Sequence, residues 1–454
     1  MSGNVAPGPR GHRLLGSLLD VRRDRLRFVL RATREYGDVV RFQMGSRRLF
    51  LLNHPDGFRH VLQRNAGNYH KGLGLTHAAP LFGQGLLSSD GEVWASARRQ
   101  LRPAFHPDRL EGYAGSVVAA SREMLARWAR DHAAGEPVDV SREMARLTLD
   151  VLGRTVLGVD LRPIADVLIA HFEVLSRWAM GQMASLAEIP LWIPTPVNLR
   201  ARRSVAVLDG LVHRMIAERR QQGPGSGDVL DLLLSAEPPI ETGRVRDQIM
   251  TLLVAGHETS AAVLGWMWHL LARHPDVRRA LDRELAEVLG GRPPAFADLP
   301  RLVKTRAIVD ETMRLYPPVW LLPRRAVDDD EIGGYRIPAG SDVLLCVYSL
   351  HRHPELWEAP EEFRPQRFES ASARTSAAYL PFGGGPRACL GRSFGQLETS
   401  LVAATVAQAA VLQAAPGRRV KADPLLTLSP QGLWMKPLYD RAASGAAPAV
   451  PFHA

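Results

Sequence analysis

Pro381-Phe382-Gly383-Gly384-Gly385-Pro386-Arg387-Ala388-Cys389-Leu390-Gly391 sets one cysteine at the end of a glycine-rich, proline-punctuated loop. Arg392 to Glu398 follows at once and runs on into the apolar stretch 401–412, which reads as a helix. A loop that delivers a cysteine to a helix N-terminus favours the thiolate, because the unpaired N–H groups and the helix dipole stabilise negative charge. Such a thiolate can be a nucleophile, a redox centre or a metal ligand. The rest of the chain has to discriminate among the three.

The chain has 454 residues, 46% of them hydrophobic, enough for a large core. Two cysteines, Cys346 and Cys389, make no disulfide framework, and no apolar run near the start resembles a signal peptide. A soluble, cytoplasmic protein is expected. The net charge of +10 comes almost wholly from arginine, since only Lys71, Lys304, Lys421 and Lys436 are lysines. A basic balance suits an acidic partner or an anionic cofactor. No nucleic-acid motif or aromatic-interleaved basic tract is visible, so no nucleic-acid partner is expected.

Along the chain, helices are expected over Leu26–Tyr36, Glu92–Leu101 and much of Leu110–Arg220, with a hairpin around Gly45-Ser46. The stretch 70–90 reads as a long loop. Further helices are expected over 275–290, 302–316 and 392–412, and strands over 335–337 and 342–347. The fold class is mainly α with a minor β region (α+β), in a single domain over 1–454, with loose ends at 1–20 and 440–454.

Ile249 to Ala272 is nearly all apolar except for His257-Glu258-Thr259-Ser260. A transmembrane helix would carry that glutamate at the bilayer centre, which costs a few kcal/mol. A core helix about 45 Å long is the better reading, with no membrane involved. Ala255-Gly256 leaves room for something flat against the backbone. Glu258 beside Thr259 is an acid–alcohol pair suited to moving protons. Glu311 and Arg314 share one helix face ahead of Pro317-Pro318, and Arg367 follows between two aromatics. A lone Glu–Arg pair is usually a solvated surface pair; its weight comes from Arg367 and from the cysteine loop beyond.

Together these motifs resemble a cytochrome P450, a heme-thiolate monooxygenase, of the bacterial soluble type, and the resemblance spans essentially the whole chain. Phe382, Gly385, Arg387 and Cys389 fit the family's Phe-x-x-Gly-x-Arg-x-Cys pattern; Ala255-Gly256-His257-Glu258-Thr259 fits the oxygen-activating motif; Glu311 and Arg314 fit Glu-x-x-Arg; Trp94 and Arg98 fit Trp-x-x-x-Arg. Gln366 stands where the family often has an acid. The resemblance implies the cytochrome P450 fold, with heme b (iron protoporphyrin IX) between the long helix and the cysteine loop. It makes Cys389 the metal ligand, with Phe382, Gly385 and Gly391 around the sulfur. It makes Trp94, Arg98, Arg387 and Arg324, or Arg325 in its place, the partners of the propionates. Ala255 would face the ring, Thr259 and Glu258 would handle protons, and Glu311, Arg314 and Arg367 would form a network behind the loop. His257 is read as a packing residue, not a ligand.

The implied reaction is hydroxylation or epoxidation of an apolar small molecule with O2, of terpenoid or polyketide type. Leu87, Leu252, Ala255, Val319, Leu321 and Leu433 are the expected pocket lining, with Leu75, Leu191, Trp192 and the turn near Gln431-Gly432-Leu433 also drawn in. With no reductase domain after the cysteine helix, ferredoxin and ferredoxin reductase are the expected electron donors. Arg98, Arg99, Arg102 and Arg392 form the expected docking face. A heme-thiolate oxidase that couples rings or closes an ether bridge is the alternative enzyme. A non-catalytic heme sensor is the alternative of another class, and Glu258-Thr259 argues against it.

Overall fold

The computed structural model describes residues 4–73, 79–132, 135–183, 185, 189–223, 225 and 227–439. Among them the main helices are α1 (Arg25–Tyr36), α2 (Gly91–Leu101), α3 (Pro107–Asp131), α4 (Val140–Leu152), α5 (Ala165–Met183), α6 (Pro196–Gln222), α7 (Thr242–Arg273), α8 (Pro275–Leu289), α9 (Val303–Leu315) and α10 (Arg392–Ala409). The strands that matter to the site are β1 (Val39–Met44), β2 (Arg47–Leu52), β3 (Tyr69–Lys71), β4 (Leu322–Ala326), β5 (Asp342–Leu345), β6 (Lys421–Pro424) and β7 (Leu428–Gln431).

The apolar stretch around residue 257 is indeed one core helix. α7 has 32 residues, about 48 Å of axis, and stops at His274-Pro275. Its flanks bury Ile249, Leu253, Leu264, Met267 and Trp268, each worth about 1.5–3 kcal/mol of burial. No described helix is long and apolar enough to cross a membrane. Gly256 is needed for packing: a Cβ there would stand 2.8 Å from Leu152 Cδ1 on α4. Its small size therefore lets two helices close on each other, which corrects the expectation that it makes room for a flat ligand. Neighbouring Ala255 is exposed.

The five-stranded sheet runs β1-β2-β5-β4-β3. β1 and β2 form the expected hairpin, turning at Gly45, whose φ of 61° favours glycine. β2 pairs with β5 in parallel, β5 with β4 and β4 with β3 antiparallel. The last register sets Lys71 opposite Arg324. β3 and β4 were not legible from the sequence, because each is short and one holds Pro323 and two arginines.

The lead-in is not loose where it is described. Arg41 N–H donates to Pro7 O at 2.7 Å, Ser17 N–H to Gln43 O at 2.7 Å, and Asn4 bridges to Tyr335. Backbone groups at the β1 edge capture it. Residues 440–454 lie outside the described residues.

Candidate active site

The cysteine loop folds as its glycines require. Gly383 and Gly385 have φ of 66° and 67°, open to glycine at little cost. A Cβ on Gly385 would overlap the carbonyl of Leu62. Gly385 therefore serves close approach to the 60–64 turn rather than to the sulfur, a shift from its expected place. Cys389 N–H donates to Phe382 O at 2.9 Å and closes the loop. The Gly391 N–H hydrogen-bonds the sulfur and favours its charged form. Arg392 stacks over the Phe382 ring at 5.5 Å.

Cys389 has accessible surface, yet enough protein surrounds it that burial raises its thiol pKa. A side chain both accessible and enclosed lines an internal hollow. Ala255 has the same character: it is exposed in a helix whose neighbours Val254 and His257 are buried. Cys346, by contrast, is a buried strand-end residue with its thiol pKa raised by desolvation.

A cluster of cations sits at one side of the loop. Arg98 donates to Ala388 O at 3.0 Å, and Arg387 donates to Ser89 O at 3.0 Å and pairs with Asp90. Both guanidinium groups lie over the Trp94 ring, at 5.8 and 4.5 Å. Arg324 is buried and donates to Pro323 O at 2.8 Å. Arg325 alternates to the exposed face, towards Gly340 O, so it is Arg324 that joins the cluster. Lys71 completes it; its backbone N–H donates to Asp90 Oδ2 at 3.1 Å. Burial lowers the pKa of Lys71 well below the usual lysine value, with Arg324 and Arg387 adding repulsion. Burial, with Arg387 nearby, likewise brings Arg324 down to about 10. Lys71, Arg324 and Arg387 thus share Asp90 as the acid near them, with Arg98 adding charge beside Arg387. Like charges opposite each other across β3 and β4 are unfavourable unless an anion joins them. A group with two carboxylates fits that need. Lys71 was missed in the sequence; a lone lysine at the end of an unrecognised strand carried no signal.

Behind the loop, Glu311 and Arg314 are fully buried and joined at 2.7 and 2.9 Å. Arg367 Nε donates to Glu311 Oε1 at 3.1 Å, and the Arg364 backbone N–H to the same oxygen at 2.8 Å. Arg314 also donates to the carbonyls of His351, Pro360 and Glu362. Gln366 is exposed, so the network closes without an acid there. His351 is the link sequence reading missed. Its Nε2 accepts from the Leu380 N–H at 2.9 Å, which leaves Nδ1–H to donate to Arg314 O at 3.2 Å. Burial lowers it to about 3, so it is neutral as that pairing needs.

On α7, Thr259 Oγ1 donates to Ala255 O at 2.8 Å. Glu258 accepts from Ser176 of α5 at 3.4 Å and from Thr427 at 3.1 Å. Burial pushes its carboxyl up to about 7. Among the described residues Glu258 and Thr259 share no hydrogen bond, so they are an acid and an alcohol on one helix turn rather than a bonded pair. His257 is buried against Phe172 and lowered to about 4, as a packing histidine. Glu398 on α10 is fully buried and pushed up to about 8, with Ser260 favouring its charged form.

Of the expected lining, Leu87, Val319 and Leu321 are partly buried and Leu252 lies a turn before Ala255 on α7. Leu433 does not belong with them. It is 1% exposed, its carbonyl takes the Val140 N–H, and it lies against Gly265, about 9 Å along α7 from Thr259. The turn that meets Glu258 is the one between β6 and β7, carrying Thr427. The sequence placed it too late because Gly432 is a stronger turn signal than Leu425-Leu426-Thr427. Trp192, 74% exposed, points to solvent, and Leu75 lies outside the described residues.

The family model described as "Cytochrome P450" matches residues 6–436. The chain belongs to the cytochrome P450 family. Cyclooctatin synthase of Streptomyces melanosporofaciens is 39% identical over 451 residues, covering 95% of both chains. Cyclooctat-9-en-7-ol 5-monooxygenase of the same organism is 37% identical, covering 89% of this chain and 88% of that protein. LUTEIN DEFICIENT 5 of Arabidopsis thaliana is 32% identical over 409 residues. Cytochromes P450 bind heme b through a cysteine thiolate and draw electrons from redox partners to use O2 on organic substrates. This P450 is a monooxygenase by that membership. An accessible cysteine, an accessible alanine on the long helix and an under-neutralised cation cluster fit the group.

Proposed function

We propose that this P450 inserts one oxygen atom into an apolar terpenoid, by hydroxylation or epoxidation, in secondary metabolism. The observation that carries the reading is the enclosed yet accessible Cys389, held by the Gly391 N–H and flanked by the cations Arg98 and Arg387, together with the acid and the alcohol at Glu258 and Thr259 of the long helix. The substrate class rests on the printed names of the two Streptomyces relatives and on the apolar side chains of Leu87, Leu252, Val319 and Leu321. The overall balance is substrate, O2, two electrons and two protons to oxygenated product and water.

Heme b bound at Cys389 supplies O2 activation, and thiolate donation favours cleavage of the O–O bond. The chain's own residues do the rest. Gly391 N–H holds the sulfur's charge, and Phe382 shields it from water. Arg98, Arg324, Arg387 and Lys71 hold the propionates, arginine by paired donors. Trp94 stacks beneath two of them and fixes their planes. Glu311, Arg314, Arg367 and His351 fix the approach to the loop through Leu380. Thr259, whose proton rests on Ala255 O, keeps its lone pairs free to accept a hydrogen bond. Glu258, close to half-protonated near neutrality, suits a proton donor that must recharge.

Ferredoxin and ferredoxin reductase, in the cytoplasm, are the proposed electron source. Arg99, Arg102 and Arg392, all exposed, provide a basic face beside the loop for an acidic carrier. The test is turnover under 18O2 with such a carrier and cyclooctat-9-en-7-ol as first probe. One labelled oxygen in the product supports insertion. Oxidised product with no label, from a ring closure, would refute it.

A further inference from the structure

Two hydroxyls reach Glu258 from two different elements: Ser176 from α5 and Thr427 from the turn between β6 and β7. Both are buried, and one binds each carboxyl oxygen. Neither belongs to a motif of the sequence, and nothing in the proton-handling pair of Glu258 and Thr259 calls for them. Among the described residues no cation pairs with this acid. Glu173, one turn before Ser176, is engaged by Arg177, which also reaches Asp423 on β6 at 3.4 Å. Asp423 in turn takes the Gln431 side chain. His257, the other titratable group beside Glu258 on α7, faces Phe172.

We infer that Ser176 and Thr427 are positioning residues that clasp Glu258 and thereby set how much of the electron flow ends in product rather than in hydrogen peroxide. This rests on the monooxygenase reading. Each proton that leaves Glu258 is replaced by one from solvent, so the acid is restored for the second proton of the cycle. A carboxyl held at both oxygens returns to one place after each transfer; a free one swings. Because each arm belongs to a different element, the clasp also responds to a substrate that shifts one of them. A molecule that seats without moving α5 or the turn keeps both bonds. One that displaces either element binds but loses coupling, so selectivity appears in product yield more than in affinity.

The clasp also stabilises the charged carboxylate against burial, since both hydroxyls favour that form. Its removal has a signature that looser packing lacks. In Ser176→Ala/Thr427→Val holoenzyme the Glu258 protonation midpoint moves up by about one pH unit. The midpoint is read from the carboxyl infrared band of the CO-bound protein, assigned with Glu258→Gln. Peroxide formed per product, with cyclooctat-9-en-7-ol as probe, rises about tenfold, while its apparent KM changes by less than about threefold. Thr427→Ser, which restores the hydroxyl in the smaller side chain, recovers most of both on the Ser176 wild-type background. An unmoved midpoint in the double variant overturns the clasp, as does an unchanged peroxide yield. The infrared reading needs no turnover. A wild type that inserts no oxygen therefore counts against the monooxygenase reading, and the band still decides the clasp.

Discussion

Lys71→Met exposes the cation cluster for what it is, because it acts with opposite sign on the heme-free and heme-loaded protein. In the heme-free chain Lys71 stands directly across from Arg324, near Arg387, with Asp90 the acid in contact. Like charges across a strand pair cost about 0.2–1 kcal/mol, and the methionine keeps the apolar stem's packing. Apoprotein stability should therefore rise by about that amount. In the loaded protein a charge-assisted bond to a propionate is lost, about 1.5–3 kcal/mol, or roughly 10- to 150-fold in heme retention. The pH dependence follows from the lowered lysine pKa. The unfolded chain binds the proton more tightly than the folded one, so apoprotein stability climbs with pH up to the ordinary lysine value, and Lys71→Met flattens that climb. Urea unfolding of the apoprotein at several pH values and heme transfer to an acceptor globin measure the two arms. An apoprotein weakened by the substitution, with heme retention unchanged, would refute the reasoning.

Two other substitutions test the frame around the site. Glu311→Gln removes the charge that Arg314 and Arg367 share in a fully buried setting; about 3–5 kcal/mol of stability should go, seen as a lowered urea midpoint and poor heme loading, while Arg364→Ala, which loses no side-chain bond to Glu311, stays near wild type. Glu398, raised to about 8, contributes stability present below the ordinary glutamate pKa and lost as pH rises through 8; Glu398→Gln should remove that slope, about 1.4 kcal/mol per pH unit, between roughly pH 4.5 and 8 in unfolding curves.

Much of this was legible because the chemistry is written in contiguous residues. The cysteine loop, the Ala255–Thr259 turn, Glu311 with Arg314, and Trp94 with Arg98 are local patterns, and the helices that carry them have strong periodicity or clear stops at Pro103, Pro275 and Pro317. Partnerships made across the fold were not legible. Lys71 meets Arg324 through a two-strand register that neither strand announces. His351 joins Arg314 to Leu380 from a run of polar residues with no pattern. Gly256 looked like room for a ligand until Leu152, more than a hundred residues away, filled the space. Leu433 was misplaced by one turn because a glycine marks a bend but not which bend meets Glu258. Thr427 and Ser176 needed the tertiary fold to bring two elements to one carboxyl.

The central claim is that Cys389 holds heme iron as a thiolate. The absorption spectrum of the reduced, CO-bound holoprotein tests it most directly, with Cys389→His beside it. A Soret band with the thiolate red shift in the wild type, lost in the variant, is the predicted result. A wild-type band without that shift, in protein that carries heme, would contradict the account.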